Sequence, residues 1–218
     1  MLQRVNDIEL FYEESGQGSP IILLHGNGES HKIFHQLFKL LTTRHRVYAI
    51  DSRGHGQSTQ VKSLDYMQMA EDIAEFIRVK GINKPILYGF SDGGILGLII
   101  AHRYPDMLSK LIISGANTKP DGLRPFYYRL FKIIYFFSRS PKYKLMITQP
   151  DIKDEELMKI GIPTFVLAGS KDLISEIHTK HIASCIKGST LNILKGENHM
   201  SYVLDNDKLY KIIEPYLS

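Results

Sequence analysis

The sequence predicts an α/β protein in which helices flank a mostly parallel β-sheet, and three observations support this fold class. First, runs such as 20–24 and 111–113 are apolar throughout, which is typical of strands buried on both faces of a parallel sheet. Second, segments with helical periodicity separate these runs, as in successive βαβ units. Third, the runs end in loops rich in Gly, Asp, Ser and His, so polar side chains gather beyond the carboxyl ends of the strands.

The N-terminal half alternates strands with helices. Residues 2–14 predict two short strands, since apolar and acidic side chains alternate from Ile8 to Glu13. Buried strands are predicted at 20–24, 46–50 and 85–88, and helices at about 31–42, 64–80 and 95–101. Gly81 is a typical residue just beyond the end of a helix.

The C-terminal half continues the alternation. Its strands are predicted at 111–115, 163–168 and 191–194, and its helices at about 154–160, at about 175–187 and near the C-terminus. We expect one domain over 1–218, because a chain of this length can bury a substantial core. No apolar stretch reaches the length of a membrane span, and the first residues lack the apolar region of a secretory signal. A lone Cys185 forbids an internal disulfide, so we expect a cytoplasmic protein.

Positive charge is concentrated in one segment. The net charge of the chain is +4, but residues 119–144 contain seven basic residues and one acidic residue. That segment carries +6 and the remainder of the chain carries −2. A basic amphipathic stretch can contact an anionic membrane surface without stable insertion. We expect no nucleic-acid partner, and the sequence leaves the oligomeric state open.

The segment Gly89-Phe90-Ser91-Asp92-Gly93 lies between a predicted strand and a predicted helix. Its G-x-S-x-G pattern is that of a nucleophile elbow, a sharp turn that holds a serine in a strained conformation. Glycine at both ends avoids a clash where the strand and helix backbones meet closely. The helix directs free N–H groups at the serine oxygen and at any oxyanion beside it. Ser91 is therefore the candidate nucleophile, and the alternative is a tight turn with a buried serine.

Asp172 and His199 are the candidate partners of Ser91. A serine nucleophile needs a base that takes its proton and a carboxylate that holds the base in the correct tautomer. Asp172 is expected four residues beyond the strand 163–168, and His199 a similar distance beyond the strand 191–194. Both residues would then lie on the edge of the sheet that presents Ser91.

The helical histidines are weaker candidates. His178 and His181 lie three residues apart on a predicted helix, where we expect surface positions. No carboxylate or third ligand accompanies them with the spacing of a metal site. We therefore predict no metal site and no cofactor.

Five ordered motifs resemble those of α/β-hydrolase-fold enzymes, over essentially the whole chain. They are His25-Gly26-Asn27-Gly28, residues 51–58 with the pattern D-x-R-G-x-G-x-S, the elbow at Ser91, Gly169-x-x-Asp172 and Gly196-x-x-His199. The order Ser, Asp, His is also that of the family. The resemblance implies an eight-stranded sheet whose second strand is antiparallel, with backbone N–H groups of Asn27 and Asp92 forming an oxyanion hole. It also implies a cap after the sixth strand, here reduced to about 117–152. We interpret His25 and Arg53 as residues that organise loops.

These features predict a serine hydrolase that acts on a small-molecule carboxylic ester, or on a thioester, lactone or amide, through an acyl-enzyme. Ser91 attacks, His199 relays the proton, and Asp172 orients His199. Carbon–carbon bond hydrolases and cofactor-free haloperoxidase-like enzymes share these residues and are alternatives, because a fold does not determine a reaction. A non-catalytic ligand-binding protein of the same fold is a further alternative.

Two substrate-binding residues are predicted. Phe131 lies in the stretch 125–137, which we expect to form a helical lid whose apolar face covers Ser91 and forms the acyl pocket. The alternative is that this stretch only packs on the sheet. Asp92 lies in a Ser-Asp-Gly-Gly elbow that resembles that of valacyclovir hydrolase (biphenyl hydrolase-like) enzymes, whose corresponding aspartate meets the α-ammonium group of amino-acid esters. The alternative for Asp92 is stabilisation of the helix start by its charge.

Overall fold

An eight-stranded sheet forms the centre of the protein, whose computed structural model describes residues 1–204 and 207–217. Its strands are β1 (Leu2–Val5), β2 (Ile8–Ser15), β3 (Pro20–Leu24), β4 (Arg46–Ile50), β5 (Ile86–Phe90), β6 (Lys110–Ser114), β7 (Thr164–Lys171) and β8 (Thr190–Asn198). They are ordered β1-β2-β4-β3-β5-β6-β7-β8. β2 is antiparallel to both of its neighbours, and β3 to β8 are parallel. The prediction of a mostly parallel eight-stranded sheet with an antiparallel second strand is confirmed.

The helices follow the strands in the predicted alternation. They are α1 (His35–Leu41), α2 (Tyr66–Val79), α3 (Asp92–Arg103), α4 (Pro125–Ser138), α5 (Pro141–Thr148), α6 (Asp154–Leu157), α7 (Glu176–Cys185) and α8 (Lys208–Ile213). The N-terminus of α2 is capped by Asp65, whose side chain accepts a hydrogen bond from the amide of Gln68. Among the described residues, none of the helices has the length and apolar content needed to cross a membrane.

Helices cover both faces of the sheet. Along β3, Ile22 and Leu24 pack on one face with side chains of α2 and α3, whereas Ile21 and Leu23 pack on the other face with side chains of α1 and α8. Successive side chains of a strand point to opposite faces, so a strand buried on both sides requires an apolar run. The runs in the sequence therefore marked the central strands correctly.

The last two strands are longer than predicted. β7 continues to Lys171 and β8 to Asn198, and these two residues are paired after an irregularity in register that follows Gly169. The polar ends of both strands project beyond the apolar core, so an apolar run does not reveal them. Asp172 and His199 consequently follow strand ends directly, and the four-residue loops that we predicted before them are wrong.

The segment expected to form the cap, 117–152, contains α4 and α5. These helices pack on each other, with the ring of Phe131 on α4 lying 5.8 Å from that of Tyr143 on α5. α5 buries Leu145, whereas no residue of α4 is buried. α5 is thus the helix that anchors this segment, and α4 lies on its outer side.

Candidate active site

Ser91 occupies a strained turn between β5 and α3. Its backbone dihedrals, φ 51° and ψ −115°, lie outside the regions that a serine ordinarily adopts. The turn is held by a hydrogen bond from the Ser91 amide to the carbonyl oxygen of Ser114, at 2.7 Å. β5 is buried along its whole length, so the strand places the serine firmly at the edge of the sheet. The structure thus contains the strand, the strained turn and the helix that the sequence predicted around Ser91.

The two glycines of the elbow are required by close backbone contacts. A Cβ atom on Gly89 would overlap the carbonyl oxygen of Gly93, and one on Gly93 would overlap the carbonyl oxygen of Leu24. Neither neighbour is the end of a flexible side chain, so neither can move without displacing a strand or helix. The turn therefore tolerates no larger residue at these positions.

His199 and Asp172 lie in direct contact. The Nδ1 atom of His199 donates a hydrogen bond to Oδ1 of Asp172 at 2.7 Å. The Asp172 carboxylate is fully buried and also accepts hydrogen bonds from the amides of Ile174, at 2.9 Å, and Gly169, at 3.4 Å. With its proton on Nδ1, the His199 ring keeps Nε2 free to act as a base. The structure thus brings together the two residues that the sequence proposed as partners.

Gly115 makes room for the His199 ring and was not predicted. It follows β6 with φ +62°, and a Cβ atom there would lie 2.7 Å from Cε1 of His199 and 2.8 Å from its Nδ1. A side chain at this position would push the ring away from Asp172. The signal in the sequence was a glycine at the end of a predicted strand, at the edge of the sheet where the other candidates lie.

Ser91 and His199 line one cavity of about 300 Å³. The other lining residues come from the loop after β3, from both cap helices and from nearby loops: Gly26, Asn27, Gly28, Glu29, Phe90, Phe131, Lys142, Tyr143, Met146, Leu173 and Met200. Phe131 is thus placed in the site as predicted. The rest of the lid prediction needs correction, because α5 supplies most of the cap side chains in the cavity and most large apolar side chains of α4 face outward.

The amides of Asn27 and Asp92 are available as hydrogen-bond donors. Asp92 is the first residue of α3, where an N–H group has no acceptor within the helix. Within 1–204 and 207–217, the Asn27 amide also has no acceptor. The Asn27 side chain donates to the carbonyl oxygen of Lys142 at 3.1 Å, which ties this loop to α5. The geometry is compatible with the predicted oxyanion hole.

His25 organises the loops beneath the cavity, as expected. Its Nε2 atom accepts a hydrogen bond from the Ser52 amide at 3.0 Å, and its Nδ1 atom donates to the Gly26 carbonyl oxygen at 2.7 Å. Burial lowers the pKa of His25 to about 4, so the ring is neutral with both nitrogens engaged. Arg53 similarly joins elements, through a bidentate ion pair with the buried carboxylate of Asp72.

The side chain of Asp92 lies behind the cavity. It is 4% exposed, and its Oδ1 atom accepts a hydrogen bond from the Tyr66 hydroxyl at 2.7 Å. In the described part of the chain its Oδ2 atom has no hydrogen-bond partner. Burial raises the pKa of Asp92 to about 7. Nothing in the sequence linked Tyr66 to Asp92, because the two residues meet only through the packing of α2 on α3.

Glu29 places a carboxylate in the wall of the cavity and was also not predicted. Its Oε2 atom accepts a hydrogen bond from the Gly26 amide at 3.0 Å, and burial raises the pKa of its carboxyl group. The signal was its position, two residues after Asn27 in the same loop. The cavity therefore combines a nucleophile, a base, free amides and an acidic side chain.

The histidines of α7 differ in their surroundings. His178 is half-buried, and its Nε2 atom accepts a hydrogen bond from the Thr118 amide at 3.0 Å, so a surface position is wrong for it. The start of the cap segment covers this residue. His181 is exposed and lies 3.0 Å from an Asp154 oxygen and 3.6 Å from the Cys185 sulfur. The fold thus groups three residues of metal-ligating type that spacing did not reveal, and none of them lines the cavity.

The chain is similar to known proteins along most of its length. The sequence model of the family described as alpha/beta hydrolase fold matches residues 19–144. Serine hydrolase BPHL from Homo sapiens is 29% identical, over 98% of this chain and 84% of that protein. AB hydrolase superfamily protein YisY from Bacillus subtilis is also 29% identical, over 96% of this chain and 95% of that protein.

Solved structures share the fold. A bromoperoxidase from Bacillus anthracis superposes with a TM-score of 0.85 at 22% identity, covering 96% of this chain and 95% of that structure. An enol-lactonase from Burkholderia xenovorans superposes with a TM-score of 0.82 at 19% identity, covering 100% of this chain and 99% of that structure. Their different reactions show that this architecture alone does not identify a substrate.

Proposed function

The chain belongs to the alpha/beta hydrolase fold family, and on this premise we propose that it is a serine hydrolase that cleaves a small carboxylic ester through an acyl-enzyme on Ser91. The observation that carries the proposal is the hydrogen bond of 2.7 Å between His199 and the buried Asp172 carboxylate, beside the cavity that Ser91 and His199 share. A base held in this tautomer next to a strained serine is the arrangement that nucleophilic acyl transfer requires.

In the proposed mechanism, Ser91 Oγ attacks the ester carbonyl carbon while Nε2 of His199 takes the hydroxyl proton. The amides of Asn27 and Asp92 donate hydrogen bonds to the negative oxygen of the tetrahedral intermediate. His199 then returns the proton to the alcohol, which leaves. His199 next takes a proton from water, which attacks the acyl-enzyme, and then returns that proton to Ser91 Oγ as the acid leaves.

The dimensions of the site favour a small substrate. A volume of about 300 Å³ lies at the lower end of the range for ligand pockets, roughly 300–1,000 Å³. The walls near Ser91 are formed by Phe131, Tyr143 and Met146, which suit an apolar acyl or alcohol group. No observation in this cavity specifically favours cleavage of a carbon–carbon bond or peroxide chemistry.

The test of the proposed function is pre-steady-state kinetics with nitrophenyl esters of short acids. A burst of nitrophenol that approaches one equivalent per active chain, followed by slower turnover, is the expected signature of an acyl-enzyme. Parallel assays with a thioester, an amide and a carbon–carbon bond substrate define the reaction class. Turnover confined to the carbon–carbon substrate, or to none of the panel, would refute the esterase proposal.

Phe131→Ala is expected to reduce activity selectively towards longer acyl chains. The ring lines the cavity, and its loss removes apolar contact that a butyryl or hexanoyl group would make and an acetyl group would not. We expect kcat/KM for the hexanoyl ester to fall by about tenfold or more relative to the acetyl ester. Phe137→Ala is the matched control, because this exposed phenylalanine lies on the same helix outside the cavity. An unchanged chain-length profile in Phe131→Ala would exclude the acyl-pocket role.

Asp92→Asn is expected to abolish a preference for α-amino-acid esters over their des-amino analogues. The unpaired Oδ2 atom in a desolvated environment would gain a charge-assisted hydrogen bond from an ammonium group. The preference in the wild type should weaken below about pH 7, since the raised pKa of about 7 means that Asp92 takes up a proton there. The comparison is kcat/KM for both esters across pH in the two proteins.

Glu29→Gln is the companion variant for that comparison, because Glu29 lines the cavity whereas Asp92 lies behind it. If Glu29→Gln removes the preference and Asp92→Asn retains it, the ammonium group is held by Glu29. If the wild type shows no preference, or both variants keep it, Asp92 only stabilises the start of α3 and does not bind the substrate.

A further inference from the structure

The outer face of α4 is apolar and unusually exposed. Four of its side chains recur at i, i+4, i+7 and i+11 and so form one stripe: Phe126, Leu130, Ile133 and Phe137. Phe126 is 70% exposed, Ile133 56% and Phe137 79%, and Phe136 beside the stripe is 62% exposed. Soluble proteins rarely expose a contiguous apolar patch of this kind without using it for an interaction.

The opposite face of α4 packs on α5. The stripe is therefore exposed on a helix that is held in place, and not on one that lacks tertiary contacts. Tyr127 and Phe131 are half-buried on that side, and the Phe131 ring contacts the Tyr143 ring of α5. The helix is therefore fixed with one apolar side inward and a second apolar side outward.

Positive charge lies along one side of the exposed stripe. Residues 122–150 contain six basic residues and no acidic residue. Arg129, Lys132 and Arg139 of this group are exposed on or next to α4. The Arg139 guanidinium lies 5.3 Å from the centre of the Phe136 ring beside the stripe, and the Lys132 ammonium lies 5.5 Å from that of the half-buried Tyr128, so these cations flank the stripe on one side.

We propose that the outer face of α4 docks the protein on the surface of an anionic lipid bilayer. The aromatic and aliphatic stripe would enter the boundary between headgroups and acyl chains, and the flanking cations would contact lipid phosphates and carboxylates. Charge complementarity selects this occupant over a second copy of the chain, because an isologous dimer through α4 would oppose two strongly positive segments. With 14 residues α4 is about 21 Å long, which is shorter than the hydrocarbon core and suits a helix lying in the interface.

The proposal is independent of the chemistry at Ser91, and its test is binding to vesicles. The protein is mixed with sedimentable vesicles of phosphatidylcholine alone or with about 30% phosphatidylserine, at about 0.1 M and about 0.5 M salt. We expect at least about tenfold stronger binding to the anionic vesicles, and most of that gain should be lost at the higher salt concentration. Ser91→Ala protein should bind equally well.

Two variants locate the binding surface. Phe126→Ser combined with Phe137→Ser should weaken binding to anionic vesicles by about tenfold or more, because the variant lacks the two rings whose burial in the bilayer stabilises the bound state. Ile177→Ser is the matched control, since Ile177 is 83% exposed on α7, outside the basic segment, and should leave binding unchanged. Both proteins should keep wild-type thermal stability.

The proposal is overturned if the wild type fails to sediment with anionic vesicles, or binds neutral vesicles equally at both salt concentrations. It is also overturned if light scattering without lipid shows a dimer that Phe126→Ser with Phe137→Ser dissociates. The outer face of α4 would then be an interface between two copies of the chain.

Discussion

Replacing Ser91 by alanine should lower kcat/KM for the best nitrophenyl ester by about 10⁴- to 10⁶-fold, because the variant lacks the oxygen that forms the acyl-enzyme. Folding should be preserved, since the Ser91 turn is held by backbone hydrogen bonds that an alanine can also make. The positive φ of 51° stays as strained for alanine as for serine. Steady-state kinetics and a thermal melt of the same preparation measure both expectations.

Ser52→Ala is the matched control for Ser91→Ala. Ser52 is buried in the neighbouring loop and, among the described residues, its hydroxyl has no hydrogen-bond partner, so removing it should change activity by less than about tenfold. Retention of more than about 1% of wild-type activity in purified Ser91→Ala would assign the nucleophile to another group.

Replacing Asp172 by asparagine should lower kcat by about 10⁴-fold while KM changes little. In the wild type the carboxylate accepts the Nδ1 proton of His199 and the amide proton of Ile174. Both bonds end on Oδ1, so an asparagine oxygen in that position can keep them, but a neutral amide no longer stabilises the imidazolium that forms when His199 takes the Ser91 proton. Proton transfer from Ser91 to His199 is then less favourable, so the loss should appear in kcat.

Glu197→Gln is the matched control for Asp172→Asn. Glu197 lies two residues before His199, but its carboxylate accepts hydrogen bonds from Ser201 and Lys208. Wild-type kinetics are expected for this control. A similar loss in both variants would mean that general electrostatics around His199, and not its direct contact with Asp172, determines the activity.

The candidate site was predictable where chemistry is encoded locally. The elbow requires glycine two residues before and two residues after Ser91, because a Cβ atom at either position would clash with the backbone. The pattern can therefore be recognised within one short stretch of sequence. Asp172 and His199 were found because parallel strands end at one edge, so residues far apart in the chain meet there. The apolar runs also indicated that the central strands are buried on both faces.

The features that were missed depend on packing between distant elements. Tyr66 reaches Asp92 only because α2 packs on α3, and Gly115 matters only because His199 lies over it. The orientation of α4 also could not be predicted from the sequence. Both of its faces are rich in apolar residues, so periodicity could not determine which side would face Ser91, and α5 takes most of the space over the cavity.

The central claim, that Ser91 is the activated nucleophile, is tested most directly by labelling the folded protein with a fluorophosphonate and measuring its intact mass and its peptides. Activation of Ser91 predicts one adduct per chain, located on the peptide that contains Ser91. It also predicts that Ser91→Ala and unfolded wild-type protein remain unlabelled, because activation requires His199 and Asp172 in place. Folded wild-type protein without an adduct, or with its adduct on another residue, would contradict it.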